Sequence, residues 1–282
     1  YTKVMANPNR KIDKTHLSID SAEQRGFLHR DYIAHCLRWT HVAKHLNDRK
    51  RYATARILDI GCGKEIPMAK LMHSSRMQPS VYYACDVNKL TMPKQFDKAK
   101  WKPRLAGNTD VCDLKPEEFE EGPPNIISCF EVLEHVAPEH SRRMLMKIFE
   151  LLETEGRAFI STPCWDPDVG AAGNHINEMT YQALGAMIED VGFKIEGHWG
   201  TFASIKDYKD ELGIHQGTWE ELRSYYDTNY LATIFAPLFP HRSRNCIWQL
   251  MKTPNYDGRL FPSLKDVDTR WSSSEDWRQL QP

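Results

Sequence analysis

The 282-residue chain reads as an α/β protein, an open three-layer sandwich about a seven-stranded, mostly parallel sheet. Three observations predict it. From residue 55 onward, short apolar runs alternate with amphipathic stretches of roughly 10–15 residues, the rhythm of βαβ units. The first run, Ile57-Leu58-Asp59-Ile60, enters a glycine turn, Gly61-Cys62-Gly63, and then a helical pattern. Right-handed crossovers on such a sheet put helices on both faces and place ligands beyond the C-terminal strand ends.

Taken in order, residues 1–50 form an N-terminal helical segment. Ser21-Ala22-Glu23-Gln24 has capping-box form, and Ile33, Cys36, Leu37 and Thr40 recur at helical spacing. His41 and His45 stand one turn apart there, with no third metal ligand in view. Residues 51–252 carry the main domain. Its strands are expected at 55–60, 81–85, 104–106, 125–129, 156–162, 194–199 and 245–251. Its helices are expected at 67–73, 90–98, 141–153 and 180–191, the last closed by Gly192 as C-cap. Residues 201–244 are too long for a plain connection and rich in aromatics, so either a lid over the ligand end of the sheet or a helical insertion packed on the sheet edge is expected, with Trp219 and Tyr226 as candidate contacts or, more simply, as the insertion's own packed core. Residues 253–282 are polar and read as a tail.

Lys+Arg 37 balance Asp+Glu 38 for a net charge of −1, so there is no basic excess to hold a duplex over a broad face. A local basic groove is compatible with that balance. With 41% hydrophobic and 27% charged residues, the chain belongs with folded, not disordered, proteins. No apolar run approaches the roughly 18 residues of a membrane span, and the polar residues 1–10 lack a signal-peptide core. The seven cysteines are scattered without a C-x-x-C pair; they read as reduced thiols of a cytoplasmic protein, not as a disulfide framework or zinc ribbon.

The glycine turn selects among cofactors. A dinucleotide fingerprint needs glycine at 66, where Ile66 stands. Asp59, just before the turn, suits a cation and would repel a pyrophosphate. Asp86 closes the second strand, placed to accept two ribose hydroxyls. Asp110-Val111 follows the third, where an acid can take an adenine amino group; Asp113 is an alternative acid. Acids for a sulfonium or ammonium, a ribose and an adenine together describe S-adenosyl-L-methionine and not NAD.

With Phe130-Glu131-Val132-Leu133-Glu134-His135, these segments resemble the class I S-adenosylmethionine-dependent methyltransferases in order and spacing, over roughly residues 50–200 and the final strand at 245–251. The resemblance implies a Rossmann-like methyltransferase fold whose last strand is antiparallel. It implies Asp59, Gly61 and Gly63 at the methionine part, Asp86 at the ribose, and Asp110 and Val111 flanking the adenine, with Cys62, Val87 and Phe130 completing the cofactor-binding set. Glu65 stands where the family frequently has a third glycine.

Glu131, Glu134 and His135 would share one face if the chain is helical there, and Asn174-His175-Ile176-Asn177-Glu178 returns His175 to the same end of the sheet. Two carboxylates and two imidazoles offer a site for Mg²⁺, Mn²⁺ or Zn²⁺. The two segments are similar to those of small-RNA 3′-terminal ribose 2′-O-methyltransferases, which hold a divalent metal in this way. The same run also occurs in metal-free methyltransferases of small molecules. His135, His175 and Glu131 are the candidate catalytic residues. A hydroxyl acceptor needs a base or a metal, so the cluster points to transfer to oxygen. Arg25-Gly26-Phe27-Leu28-His29-Arg30-Asp31-Tyr32 looks like the corresponding segment of methyltransferases carried by bacteriophages. The expected acceptor is a small molecule, a nucleotide or a nucleic-acid end, with no membrane partner. The rival from another class is a catalytically silent S-adenosylmethionine-binding partner protein, which would yield no labelled product from labelled cofactor.

Overall fold

The computed structural model describes residues 30–202, 215–226, 228–266 and 269–280. One seven-stranded sheet runs in the order β3-β2-β1-β4-β5-β7-β6. Its strands are β1 (Arg56–Ile60), β2 (Val81–Asp86), β3 (Arg104–Gly107), β4 (Ile126–Phe130), β5 (Arg157–Pro163), β6 (Lys194–Phe202) and β7 (Asn245–Met251). The first five pair in parallel. β7 lies antiparallel between β5 and β6. Every strand expected from the sequence is present, with ends displaced by a few residues at most.

The apolar runs form strands because both faces are covered. On one face Ile57, Tyr82 and Phe159 pack with residues of α1 (Arg30–Asn47) and α2 (Pro67–Ser74). On the other, Leu58, Ile127, Ile160 and Trp248 pack with α3 (Pro138–Leu151) and α4 (Tyr181–Val191). Thr180 caps α4 by accepting the Ala183 N–H, and Gly192, with φ 111°, ends it. His41 and His45 of α1 lie against the Phe159 ring and hold no metal site among the described residues. Burial pushes His45 down to about 4, and the Arg51 charge adds to it.

Several expectations change. The helix expected at 90–98 is a single 3₁₀ turn, Lys94–Phe96: Pro93 removes an N–H and holds the preceding residue extended. Of the two readings of Trp219, a contact residue or part of the insertion's own core, the second holds: it is 2% exposed. It packs with Leu231 in a small core of the insertion's own helices, α5 (Gln216–Tyr225) and α6 (Thr228–Phe235). Tyr226, by contrast, is on the surface, stacked on Tyr230. The described part of 253–282 is no free tail: Leu264 and Trp277 are buried in the α3–α4 layer, and Ser272 bridges Met179. Further changes, at Asp59 and Glu131, belong to the site. The capping box at 21–24 and residues 25–29 lie outside the described residues. No helix among the described residues is long and apolar enough to cross a membrane.

Candidate active site

The turn after β1 is shaped by two left-handed glycines, Gly61 at φ 63° and Gly63 at φ 66°. The Gly61 and Cys62 N–H groups donate to the Cys85 carbonyl at 2.8 and 3.3 Å, tying the turn to the end of β2. The two glycines differ in surroundings. A Cβ on Gly61 would lie 2.2 Å from Val132 Cγ2, whereas one on Gly63 would meet nothing within 4 Å. Gly63 therefore borders open space. The left-handed residue that starts α2 is Ile66, with Pro67 following at the first helical position.

Asp86 welds this turn to the rim. One carboxylate oxygen accepts the Gly63 N–H at 2.9 Å, and the other accepts the Asn88 N–H at 2.8 Å and its amide Nδ2 at 3.0 Å. Val87 beside it is 68% exposed, an uncovered apolar side chain at a strand end. Asp59, expected to meet a cation, is turned into the sheet instead. It is 5% exposed and accepts the hydroxyls of Tyr82 at 2.5 Å and Ser128 at 2.7 Å. Burial pushes its pKa up to about 6, against the opposing pull of those two hydroxyls. Asp110 begins the turn after β3 and accepts the Cys112 N–H at 2.8 Å; Val111 and Cys62 are buried, and Phe130 ends β4 half-buried. The open position at Gly63, with Asp86 and Asp110 at adjoining strand ends and the bare Val87, leaves room for a ligand at this rim, where Asp59 takes no part.

The second cluster lies beyond β4 and β5. Glu131 has φ 57°, and the chain after it makes only a 3₁₀ turn, Leu133–His135. The helical alignment expected for Glu131, Glu134 and His135 is therefore absent. Glu131 turns away and accepts Ser161 Oγ at 2.9 Å and Asn245 Nδ2 at 2.9 Å, with Arg38 Nη2 at 3.3 Å.

Glu134, His135 and His175 do meet: one donor atom from each lies within 4.8 Å of the others, and the two imidazoles stand edge to face with centroids 4.8 Å apart. His175 Nδ1 is 2.7 Å from Glu178 Oε1, and His135 Nδ1 is 3.1 Å from the Asn174 carbonyl. Carboxylate and carbonyl oxygens accept, so each ring carries its hydrogen on Nδ1 and presents Nε2 as the basic atom. Burial and the Glu131 charge push Glu134 well above the usual carboxylate range. Its backbone carbonyl accepts the Ile176 and Asn177 N–H groups at 2.8 and 3.0 Å, which docks the His175 loop onto the turn after β4.

Sequence reasoning missed Glu178, whose spacing of three from His175 was a usable signal. It also missed Arg38 and Asn245, which reach the site from distant segments and carried none.

Residues 28–198 match the family described as methyltransferase domain. No curated protein matches the chain in sequence. Among solved structures, magnesium protoporphyrin IX methyltransferase from Synechocystis PCC 6803, with bound S-adenosylhomocysteine, is similar at 14% identity and a TM-score of 0.50, over 79% of this chain and 86% of that one. The 1,6-didemethyltoxoflavin-N1-methyltransferase of Burkholderia thailandensis is similar at 14% identity and a TM-score of 0.49, over 89% of this chain and 99% of that one. The chain spans 65% of the length of a protein from Streptococcus thermophilus described as a hemolysin, which is 17% identical over 76% of this chain at a TM-score of 0.45. The family match covers more than half of the 282 residues, and the sheet order carries the same fold: the chain belongs to the methyltransferase domain family in its class I, Rossmann-like form.

Proposed function

We propose that this methyltransferase moves a methyl group from S-adenosyl-L-methionine to an oxygen of a small molecule, a nucleotide or a nucleic-acid end. When bound, that donor supplies a methyl group on a positively charged sulfur. The chain's own part is alignment of the acceptor in line with it, which accounts for much of the acceleration in a displacement of this kind, and removal of the acceptor's proton.

The observation that carries the oxygen reading is the pair of imidazoles whose Nδ1 atoms are committed to Asn174 and Glu178. His135 is 40% exposed and takes the hydroxyl proton at Nε2. The buried Glu178 carboxylate fixes the His175 ring beside it. An amine acceptor, once neutral, would need no such base.

The trio also supports a second reading, metal-dependent transfer of the ribose 2′-O type. The Glu134 carboxylate and the two Nε2 atoms suit Mg²⁺ or Mn²⁺, and Glu178 is the outer carboxylate that often backs a ligating imidazole. Bound there, the ion would lower the pKa of the acceptor hydroxyl. Glu131 is withdrawn to Arg38 and would not complete the set.

Incubating the chain with methyl-labelled donor and separate pools of metabolites, nucleotides, RNA and DNA tests both. Label is expected in one pool. If His135 is the base, transfer survives chelator and His135→Ala slows it by about 100-fold or more. If the ion is required, chelator abolishes transfer, Mn²⁺ restores it, and His175→Ala mimics the chelator. Donor binding with no label in any pool would overturn the proposal in favour of a silent binding protein.

A further inference from the structure

Past the end of β5 lies a cavity of about 290 Å³ that shares no lining residue with the glycine turn or the histidine pair. Three segments wall it: residues 164–167 after β5, residues 180–182 at the start of α4, and residues 241–244 just before β7. Backbone bonds fasten the walls together. The Cys164 N–H donates to the Arg244 carbonyl at 2.9 Å, and the Trp165 N–H donates to the Met179 carbonyl at 2.8 Å. Cys246 Sγ donates to the Pro240 carbonyl at 3.0 Å, and Ser243 Oγ to the Phe239 carbonyl at 2.9 Å. These last two bonds set the turn carrying Arg242 onto the head of β7.

The charge of the wall is positive. Arg242 and Arg244 face a single acid, Asp166, whose Oδ1 already accepts the Asp168 N–H at 2.9 Å. Arg244 is half-buried, and among the described residues no carboxylate stands within ion-pair distance of it. Charged side chains are seldom drawn out of water without a partner, and the cavity is where a negative group would meet this one. Tyr181 and Gln182 add to the same field. They open the 11-residue α4, so their N–H groups have no acceptor inside the helix, and that end carries partial positive charge. A cation would be repelled here, and an apolar ligand would leave the guanidiniums uncompensated.

The cavity adjoins the histidine cluster through the chain itself. Thr162, two residues before Cys164, donates its hydroxyl to Glu134 at 3.3 Å. Glu178, two residues before Thr180, holds His175 at 2.7 Å. Two extended residues span about 7 Å, so a molecule anchored here by an anionic group can reach the histidines with a hydroxyl a few bonds away.

We infer that this cavity binds a phosphate group of the methyl acceptor, which makes the acceptor a small phosphate ester such as a nucleotide. The inference rests on the proposed transfer to oxygen. Two guanidiniums and a helix start suit a dianion with several acceptor oxygens. At about 290 Å³ the space is small for a ligand pocket: it takes a phosphate with its neighbouring atoms and not a run of polymer.

Two measurements on the full chain test this. In the first, phosphorus NMR line broadening follows the binding of inorganic phosphate. Arg244→Gln is expected to weaken it by about 10-fold or more, the scale of one lost hydrogen bond to a charged group. Arg244→Lys is expected to keep most of it by retaining the charge. Affinity for S-adenosylhomocysteine is expected to be unchanged in both variants, which a collapsed β5–β7 edge would not allow. In the second, labelled donor is offered with the metabolite and nucleotide pools before and after phosphatase treatment. Label is expected in the untreated pools and is expected to disappear from the treated ones. No binding of phosphate, equal phosphate affinity in Arg244→Gln and the unaltered chain, label that survives phosphatase, or label confined to RNA or DNA would each overturn the inference. Phosphate binding that depends on Arg244, with no label in any pool, would leave the phosphate site standing and overturn instead the transfer reading on which its role rests.

Discussion

The Arg38 guanidinium of α1 meets the Glu131 carboxylate at the end of β4, 3.3 Å away, with only 2% of the arginine side chain exposed. Ser161 of β5 and Asn245 of β7 bond the same carboxylate. One acid therefore ties the N-terminal helix to three strands. Glu131→Ala should cost about 3–5 kcal/mol, because breaking a buried pair strands the remaining charge. Urea denaturation measures it; a loss below 1 kcal/mol would remove Glu131 from any structural role.

The two glycines of the turn should respond differently to alanine. Gly61→Ala adds a Cβ 2.2 Å from Val132 as well as left-handed strain, and should destabilise by at least about 2 kcal/mol. Val132→Ala in the same chain should recover part of that loss. Gly63→Ala meets no atom, so its stability cost should be only the about 1–2 kcal/mol of left-handed backbone. Its new methyl group projects into the open space that the donor is expected to use, so its affinity for S-adenosylhomocysteine should fall beyond what Gly61→Ala shows. Equal binding by Gly63→Ala and the unaltered chain would place the donor elsewhere.

Asp59 gives the fold a defined pH dependence. Its pKa rises from the ordinary 3.8 to about 6 in the folded chain, so between those values the folded state holds the proton more firmly than the unfolded state. The stabilisation from this group is complete below about 4 and is lost as pH climbs to about 6, up to about 3 kcal/mol in all. Asp59→Asn cannot titrate. The stability difference between it and the unaltered chain should therefore slope across pH 4–6 and flatten above. A difference that stays level from pH 4 to 6 would show that the carboxyl group is not held this way.

Much of the sheet was legible because each strand is a short apolar run between turn residues, and burial on both faces needs nothing subtler. The reading failed where local pattern competes with something else. Pro93 outweighed the apolar spacing of 90–98. Glu131 was grouped with Glu134 and His135 on the assumption of a helix, but a non-glycine φ of 57° turns it toward Arg38 and Asn245, which the sequence does not connect to it. Residues 253–282 looked like a tail by composition, yet Trp271 and Trp277 are costly residues to leave in water and were the available warning. His135 and His175 could be assigned to one end of the sheet from topology alone; their hydrogen-bond partners could not.

Ser273 should matter to a histidine it does not touch. Its hydroxyl accepts the Glu178 N–H at 2.8 Å, and its own N–H returns a 2.8 Å bond to the Glu178 carbonyl. Ser273→Ala leaves a buried N–H unsatisfied and should cost about 1–3 kcal/mol. By loosening Glu178 it should also lower the transfer rate while leaving S-adenosylhomocysteine affinity unchanged. A drop in that affinity equal to the drop in rate would mean that the segment supports the whole domain and not the His175 loop.

The position of β7 has a consequence for how the protein is born. It lies between β5 and β6 in space but follows both along the chain. While a ribosome is still making residues 203–244, every residue of β1 to β5 and α1 to α3, with the glycine turn and Asp86, has already been made. β5 then presents a bare edge to the crowded exit of the ribosome, and β6 has no ladder to join. Open strand edges recruit other strands, so the edge of β5 is exposed to wrong pairing for as long as β7 is missing. Asn245, at the start of β7, also bonds Glu131. The late strand that seals the edge thereby also ties down the turn after β4, which has no bond from Asn245 until synthesis has passed residue 245.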